Sequence, residues 1–177
     1  LDPTKDAGGW EATGGIALAG RQPGEDLDSL GDRRDGVDVK LAALDGVHAL
    51  TDVTGFALAG HALEMARGAQ CGVHIDWARV PLIDGVHALA RAGTVTGASG
   101  RNWDAYGAEV ALPHGFSAAD QAWLSDPQTS GGLLVSCAPE SVDAVLATFK
   151  RHGFGEAAEI GVVVAAQQGE GTALQVV

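Results

Sequence analysis

The chain has 177 residues, of which 46% are hydrophobic and 19% charged, and this balance excludes a disordered chain. Its length is that of one domain, and its 32 glycines and prolines, about 18%, stay below the level of a low-complexity sequence. Eleven basic against 23 acidic residues give a net charge of −12, which excludes a phosphate-backbone binder and an anionic-membrane binder.

Residues 1–40 show no sustained period. They hold eight glycines, and ten of the twenty residues from Arg21 to Lys40 are charged. This stretch reads as an irregular or non-native leader, with a short helix around Val39–Leu44 at its end. The chain starts at Leu1 and its single methionine is Met65, so residues missing upstream or a literally read start codon are both expected. Residues 41–177 read as the folded domain.

Val47–Leu50 predicts a short strand. Thr51, Asp52 and Thr54 then offer helix caps ahead of a helix over Gly55–Ala66, with Phe56, Ala59, Leu63 and Ala66 at helical spacing. Cys71–Ile75 alternates like a strand, and a second helix is expected over Asp84–Ala92. Thr94–Gly107 is rich in Gly, Thr, Ser and Asn and reads as a loop. Ser117 and Asp120 resemble a capping box for a helix reaching Leu124.

Leu133–Cys137 predicts a buried strand. Pro139 stands at the first position of a helix that runs to about His152. Ile160–Ala165 and Thr172–Val177 read as final strands joined through Gln167–Gly171. The alternation gives an α/β (α+β) fold, a layered sheet with packed helices. The hexapeptide Asp45–Leu50 recurs as Asp84–Leu89. The identity stops there, so it reads as coincidence.

Two segments carry candidate chemistry. In Thr51-Asp52-Val53-Thr54-Gly55-Phe56 a carboxylate and two hydroxyls stand together. They suit helix capping, or a hard cation such as Mg²⁺ that takes one or two carboxylates plus substrate phosphates. In Asp126-Pro127-Gln128-Thr129-Ser130-Gly131-Gly132 a fixed φ, a glycine pair and polar side chains suit a tight loop with an Asx turn.

The remaining chemistry-bearing residues are sparse. Cys71 and Cys137 fit no metal or disulfide spacing and point to a reducing, cytoplasmic setting. Cys137 shares a strand face with Leu133 and Val135 and is expected in the core. His48, His61, His74 and His87 fall on different elements, so no histidine metal site is expected. Trp77, Trp103, Tyr106 and Trp123 read as core and loop anchors.

Taken together, Thr51–Phe56, Gly60-His61, Glu64-Met65 and the later Asp126–Leu134 run closely resemble the C-terminal half of selenophosphate synthetase (selenide, water dikinase). Gly100-Arg101-Asn102 and Glu159-Ile160-Gly161 are also similar, and the resemblance covers about residues 47–177. It implies the AIR-synthase-related (PurM-like) C-terminal fold. It implies an ATP-using phosphotransferase that makes selenophosphate from selenide, ATP and water, releasing AMP and phosphate.

By that resemblance Asp52 is the metal ligand for Mg²⁺, supported by Thr51 and Thr54. Asn102, Thr129 and Ser130 are carried as cleft-facing residues for the ATP-bound cofactor site. No catalytic residue is assigned, because the reactive Cys or selenocysteine and the lysine of that family belong to its N-terminal half. The chain is therefore expected to be inactive alone. The alternative is a non-catalytic binding or regulatory module that pairs with a full-length relative, or a homodimer. Other AIR-synthase relatives, such as hydrogenase maturation factors and thiamine-monophosphate kinases, are disfavoured by the Asp126–Gly132 run. Ala57 stands where the family usually has glycine, and is expected to favour the helix by about 1 kcal/mol.

Overall fold

The computed structural model of the chain describes residues 12–19, 36–129, 131–165 and 173–177. Seven strands form one sheet in the order β2-β5-β1-β6-β3-β7-β4. In chain order these are β1 (Ala12–Ala19), β2 (Val47–Asp52), β3 (Cys71–Ile75), β4 (Val110–Ala111), β5 (Leu133–Cys137), β6 (Ala158–Ala165) and β7 (Leu174–Val176). The pairs from β2 through β3 are antiparallel, and β7 runs parallel to both β3 and β4.

The helices are α1 (36–42), α2 (Ala57–Ala69), α3 (Val86–Arg91), α4 (Gly97–Tyr106), α5 (Ala118–Leu124) and α6 (Val142–Arg151). They cover both faces of the sheet, and strand alternation sorts the core into two layers. On β1, Ile16 and Leu18 enter the layer built with Leu58, Leu63 and Leu124. Ala17 and Ala19 enter the other, with Val37, Leu41, Val145 and Phe149. On β5, Leu134 joins the first layer while Leu133, Val135 and Cys137 join the second, so Cys137 is a core residue as expected.

The irregular reading of residues 1–40 is corrected over 12–19. That stretch is a central strand paired with β5 on one side and β6 on the other. Both of its faces are buried, so no polar alternation marks it. Within the same stretch, α1 begins by residue 36 and buries Val37 and Leu41 one turn apart. Gln167–Gly171 lies outside the described residues.

A second correction falls on Thr94–Gly107, which holds α4 rather than a loop. Thr96 caps it, its hydroxyl accepting the Ser99 amide at 3.2 Å. Glycine and serine give this helix poor intrinsic propensity, and side-chain bonds from Asn102 and Tyr106 to the neighbouring loop anchor it. The Ser117 cap of α5 is as expected, the hydroxyl accepting the Asp120 amide at 3.1 Å. Pro139 opens a short 3₁₀ turn (Pro139–Ser141) that leads into α6.

The repeated hexapeptide takes two structures. Gly46 and Gly85 both have positive φ, 80° and 85°. The residues after them form strand β2 in the first copy and helix α3 in the second.

Candidate functional site

The site is built where β2 ends. β2 continues through Thr51 and Asp52, whose register partners on β5 are Leu134 and Leu133. Both side chains therefore belong to a strand end, and the helix-capping reading of Thr51, Asp52 and Thr54 does not hold. The N-cap position of α2 is Phe56, with no side-chain cap. The Thr51 hydroxyl donates to the Asp52 carbonyl at 3.3 Å. Asp52 is exposed, and among the described residues no side-chain partner holds its carboxylate.

Thr54 is held by a different device. His61 on α2 is buried and lies 3.3 Å from the Thr54 hydroxyl through Nε2. Its Nδ1 lies 2.9 Å from the Glu64 carboxylate. In the neutral imidazole Glu64 accepts from Nδ1–H, and Nε2 then accepts the Thr54 proton. The threonine oxygen then keeps its lone pairs for a ligand. Of this Thr54–His61–Glu64 chain only Thr54 is an expected site residue; the sequence signal for the other two is a histidine and a glutamate three apart on one helix face.

The second motif lies directly against the first. The Val53 amide donates to the Gly132 carbonyl at 2.8 Å, and the Gln128 amide to the Thr54 carbonyl at 3.0 Å. A Cβ at Gly131 would overlap the Val53 carbonyl, so this close approach requires glycine. Asp126 does not form the expected Asx turn. Its Oδ1 accepts the Thr96 and Ser99 hydroxyls, each at 3.0 Å, which ties the loop to the start of α4. Its Oδ2 accepts the Gln128 side-chain amide at 3.1 Å.

Asn102 joins the two loops. Its amide donates to the Gly55 carbonyl at 2.9 Å and to the Ser125 carbonyl at 3.0 Å. Both bonds run through the amide nitrogen to main chain, so Asn102 bridges the two loops. The Tyr106 hydroxyl adds a bond to the Phe56 carbonyl at 2.9 Å, and burial pushes this phenol up to about 12. Thr129 is exposed at the loop tip, and Ser130 lies outside the described residues.

Thus Thr51, Asp52, Thr54 and Asn102 are gathered with the Asp126–Gly132 loop at one end of the sheet. Among the described residues no group of three or more His, Cys, Asp or Glu side chains is placed to hold a metal. This arrangement offers a single unpartnered carboxylate, which fits a Mg²⁺ ion that draws its other ligands from phosphates and water or from another chain segment. The thiols offer no alternative chemistry. Burial raises both Cys71 and Cys137, and Glu159 and Glu140 raise Cys137 further, so neither is activated as a thiolate.

A mixed sheet layered by helices, with two glycine-containing loops locked together at one end, makes this an α+β domain with a loop-built site. The chain belongs to the family described as AIR synthase related protein, C-terminal domain, which it matches over residues 9–173. Its sequence is 57% identical over 128 residues to the selenide, water dikinase of Paraburkholderia xenovorans, covering 72% of this chain and 36% of that enzyme. It is 60% identical over 124 residues to the selenide, water dikinase of Burkholderia pseudomallei, covering 70% and 35%. The chain thus spans about a third of the length of these relatives.

Among solved structures, Escherichia coli HypE, a hydrogenase maturation protein, matches with a TM-score of 0.58 at 19% identity, covering 89% of this chain and 45% of that one. A chain of a HypE–HypF complex matches with a TM-score of 0.59 at 14% identity, covering 94% and 50%. These likenesses concern the fold. Among the described residues, no helix is long and apolar enough to cross a membrane.

Proposed function

We propose that this chain supplies the C-terminal part of a selenide, water dikinase and acts only when joined by the N-terminal half of such an enzyme. The reaction forms selenophosphate from selenide, ATP and water and releases AMP and phosphate. The observation that carries the reading is the exposed Asp52 carboxylate, placed at a strand end beside the interlocked Thr51–Phe56 and Asp126–Gly132 loops. Asp52 would hold Mg²⁺, whose charge would offset that of the ATP phosphates during transfer.

Around that carboxylate the chain's own residues orient rather than react. Thr51 and Thr54 flank it, and His61 fixes the Thr54 rotamer and proton. Asn102 holds the two loops in register. Cys71 and Cys137 stay as thiols in the reducing cytoplasm that this function requires. Such a wall leaves nucleophile and phosphate-binding groups to the partner half.

The test is reconstitution. The 177-residue chain is mixed with a separately expressed N-terminal half of a relative, and selenophosphate is followed by phosphorus NMR. Product is expected from the mixture and not from the chain alone. Asp52→Asn is expected to abolish it. Product from the chain alone would overturn the need for a partner, and full activity of Asp52→Asn would overturn the metal role.

A further inference from the structure

Beside the candidate site, on the side lined by Val53 and not by Asp52, the structure holds a cleft of about 190 Å³. Its lining is mixed, with apolar side chains that include Leu58, Trp77, Ile83 and Trp123. Trp77 and Trp123 stack with ring centroids 6.5 Å apart and planes at 26°. Two polar side chains, Asp126 and Gln128, also line it.

Size narrows the occupant. An apolar cavity of about 150 Å³ accepts a benzene ring, so this cleft has room for one ring and a short arm. Charge narrows it further. Asp126 accepts from two hydroxyls and one amide, all neutral. An ionised carboxylate has about four acceptor positions, so one remains on Oδ2, and among the described residues no cation pairs with this group. The nearby Arg79 is committed to Glu159 at 3.0 Å. The tryptophan faces also favour a cation, by attraction to the ring quadrupole. An anion would meet Asp126 in a chain of net charge −12.

We propose that this cleft binds a small organic cation: a one-ring apolar body on the tryptophans, with an ammonium on a short arm directed at Asp126. The proposal does not depend on the selenide reading, because it uses neither Asp52 nor a partner half.

The experiment titrates the intact 177-residue chain at neutral pH with three probes of matched shape: 2-phenylethylamine, 2-phenylethanol and 3-phenylpropionate. Binding is read by calorimetry and by the shift in tryptophan emission. The amine is expected to bind saturably, with at least about tenfold preference over the alcohol and the acid. Asp126→Asn is expected to bring the amine down to the level of the alcohol. Asp126 also holds the start of α4, so a second variant works from the rim. Ile83 is 44% exposed there, and Ile83→Trp is expected to fill the mouth and abolish amine binding while the circular dichroism spectrum is kept. No saturable amine binding, equal binding of the alcohol or acid, or undiminished amine binding by Ile83→Trp would each overturn the proposal.

Discussion

The Asn102 side-chain amide lies 2.9 Å from the Gly55 carbonyl, so a residue of α4 fixes the loop that follows Asp52. Its other bond, to Ser125, reaches the base of the second motif. The two loops approach one another through main chain, and this one amide clamps them from the side.

Removing the clamp leaves two carbonyls without their donor. Asn102→Ala is expected to cost about 1 kcal/mol, because the Gly55 carbonyl is open to water and only the Ser125 bond is partly buried. Asn102→Asp, which cannot donate, is expected to do no better. Urea unfolding measures the loss. Amide hydrogen exchange at Val53 and Gln128 should rise in both variants more than at Val73 in the distant β3.

Gly131→Ala tests the close approach itself. The added methyl would overlap the Val53 carbonyl, so the loops must part. Breaking the Val53–Gly132 bond and forcing the overlap is expected to destabilise by about 1–3 kcal/mol. A melting temperature equal to that of the parent would contradict this geometry.

Ala57 reverses an expectation. On propensity alone, alanine in place of glycine should help the helix. Ala57 instead has φ of +62°, where a Cβ costs roughly 1–2 kcal/mol. Its methyl is fully buried and returns about 0.8 kcal/mol of that. Ala57→Gly is therefore expected to stabilise the chain by up to about 1 kcal/mol, read from paired denaturation curves.

His74 sets a pH dependence. Burial within the sheet pushes its imidazole below the ordinary value of 6.5. Between those two values the unfolded chain takes up a proton that the folded chain does not. Stability is then complete above pH 6.5 and declines as the pH falls from there to the lowered folded-state value. His74→Gln carries no proton in either state and is expected to flatten that part of the stability–pH curve.

The sequence was most legible where one local rule acted alone. β3 and β5 are found at the expected residues, because short apolar runs bounded by turns leave little choice of ends. The Ser117 cap is equally local. Asp52 and the two loops could be named from their residues, but their contact could not, since it runs through main-chain groups of distant segments. α4 was hidden for the same reason: Asn102 and Tyr106 tie it to a loop some fifty residues earlier. The repeated hexapeptide makes the limit explicit. Val47–Leu50 is strand beside β5, and Val86–Leu89 is helix beside α5, although the residues are identical.

The position of β1 bears on how the chain is made. Ala17 lies between Val135 on one neighbour and Glu159 on the other. Both partners lie more than a hundred residues further along the sequence, so the middle of the sheet closes only once β5 and β6 are both available. Until then an apolar segment, Ile16–Ala19, waits unpaired. Such long-range pairing gives high contact order and slow folding. A chaperone that shields the emerging strand is expected to raise the yield of folded protein.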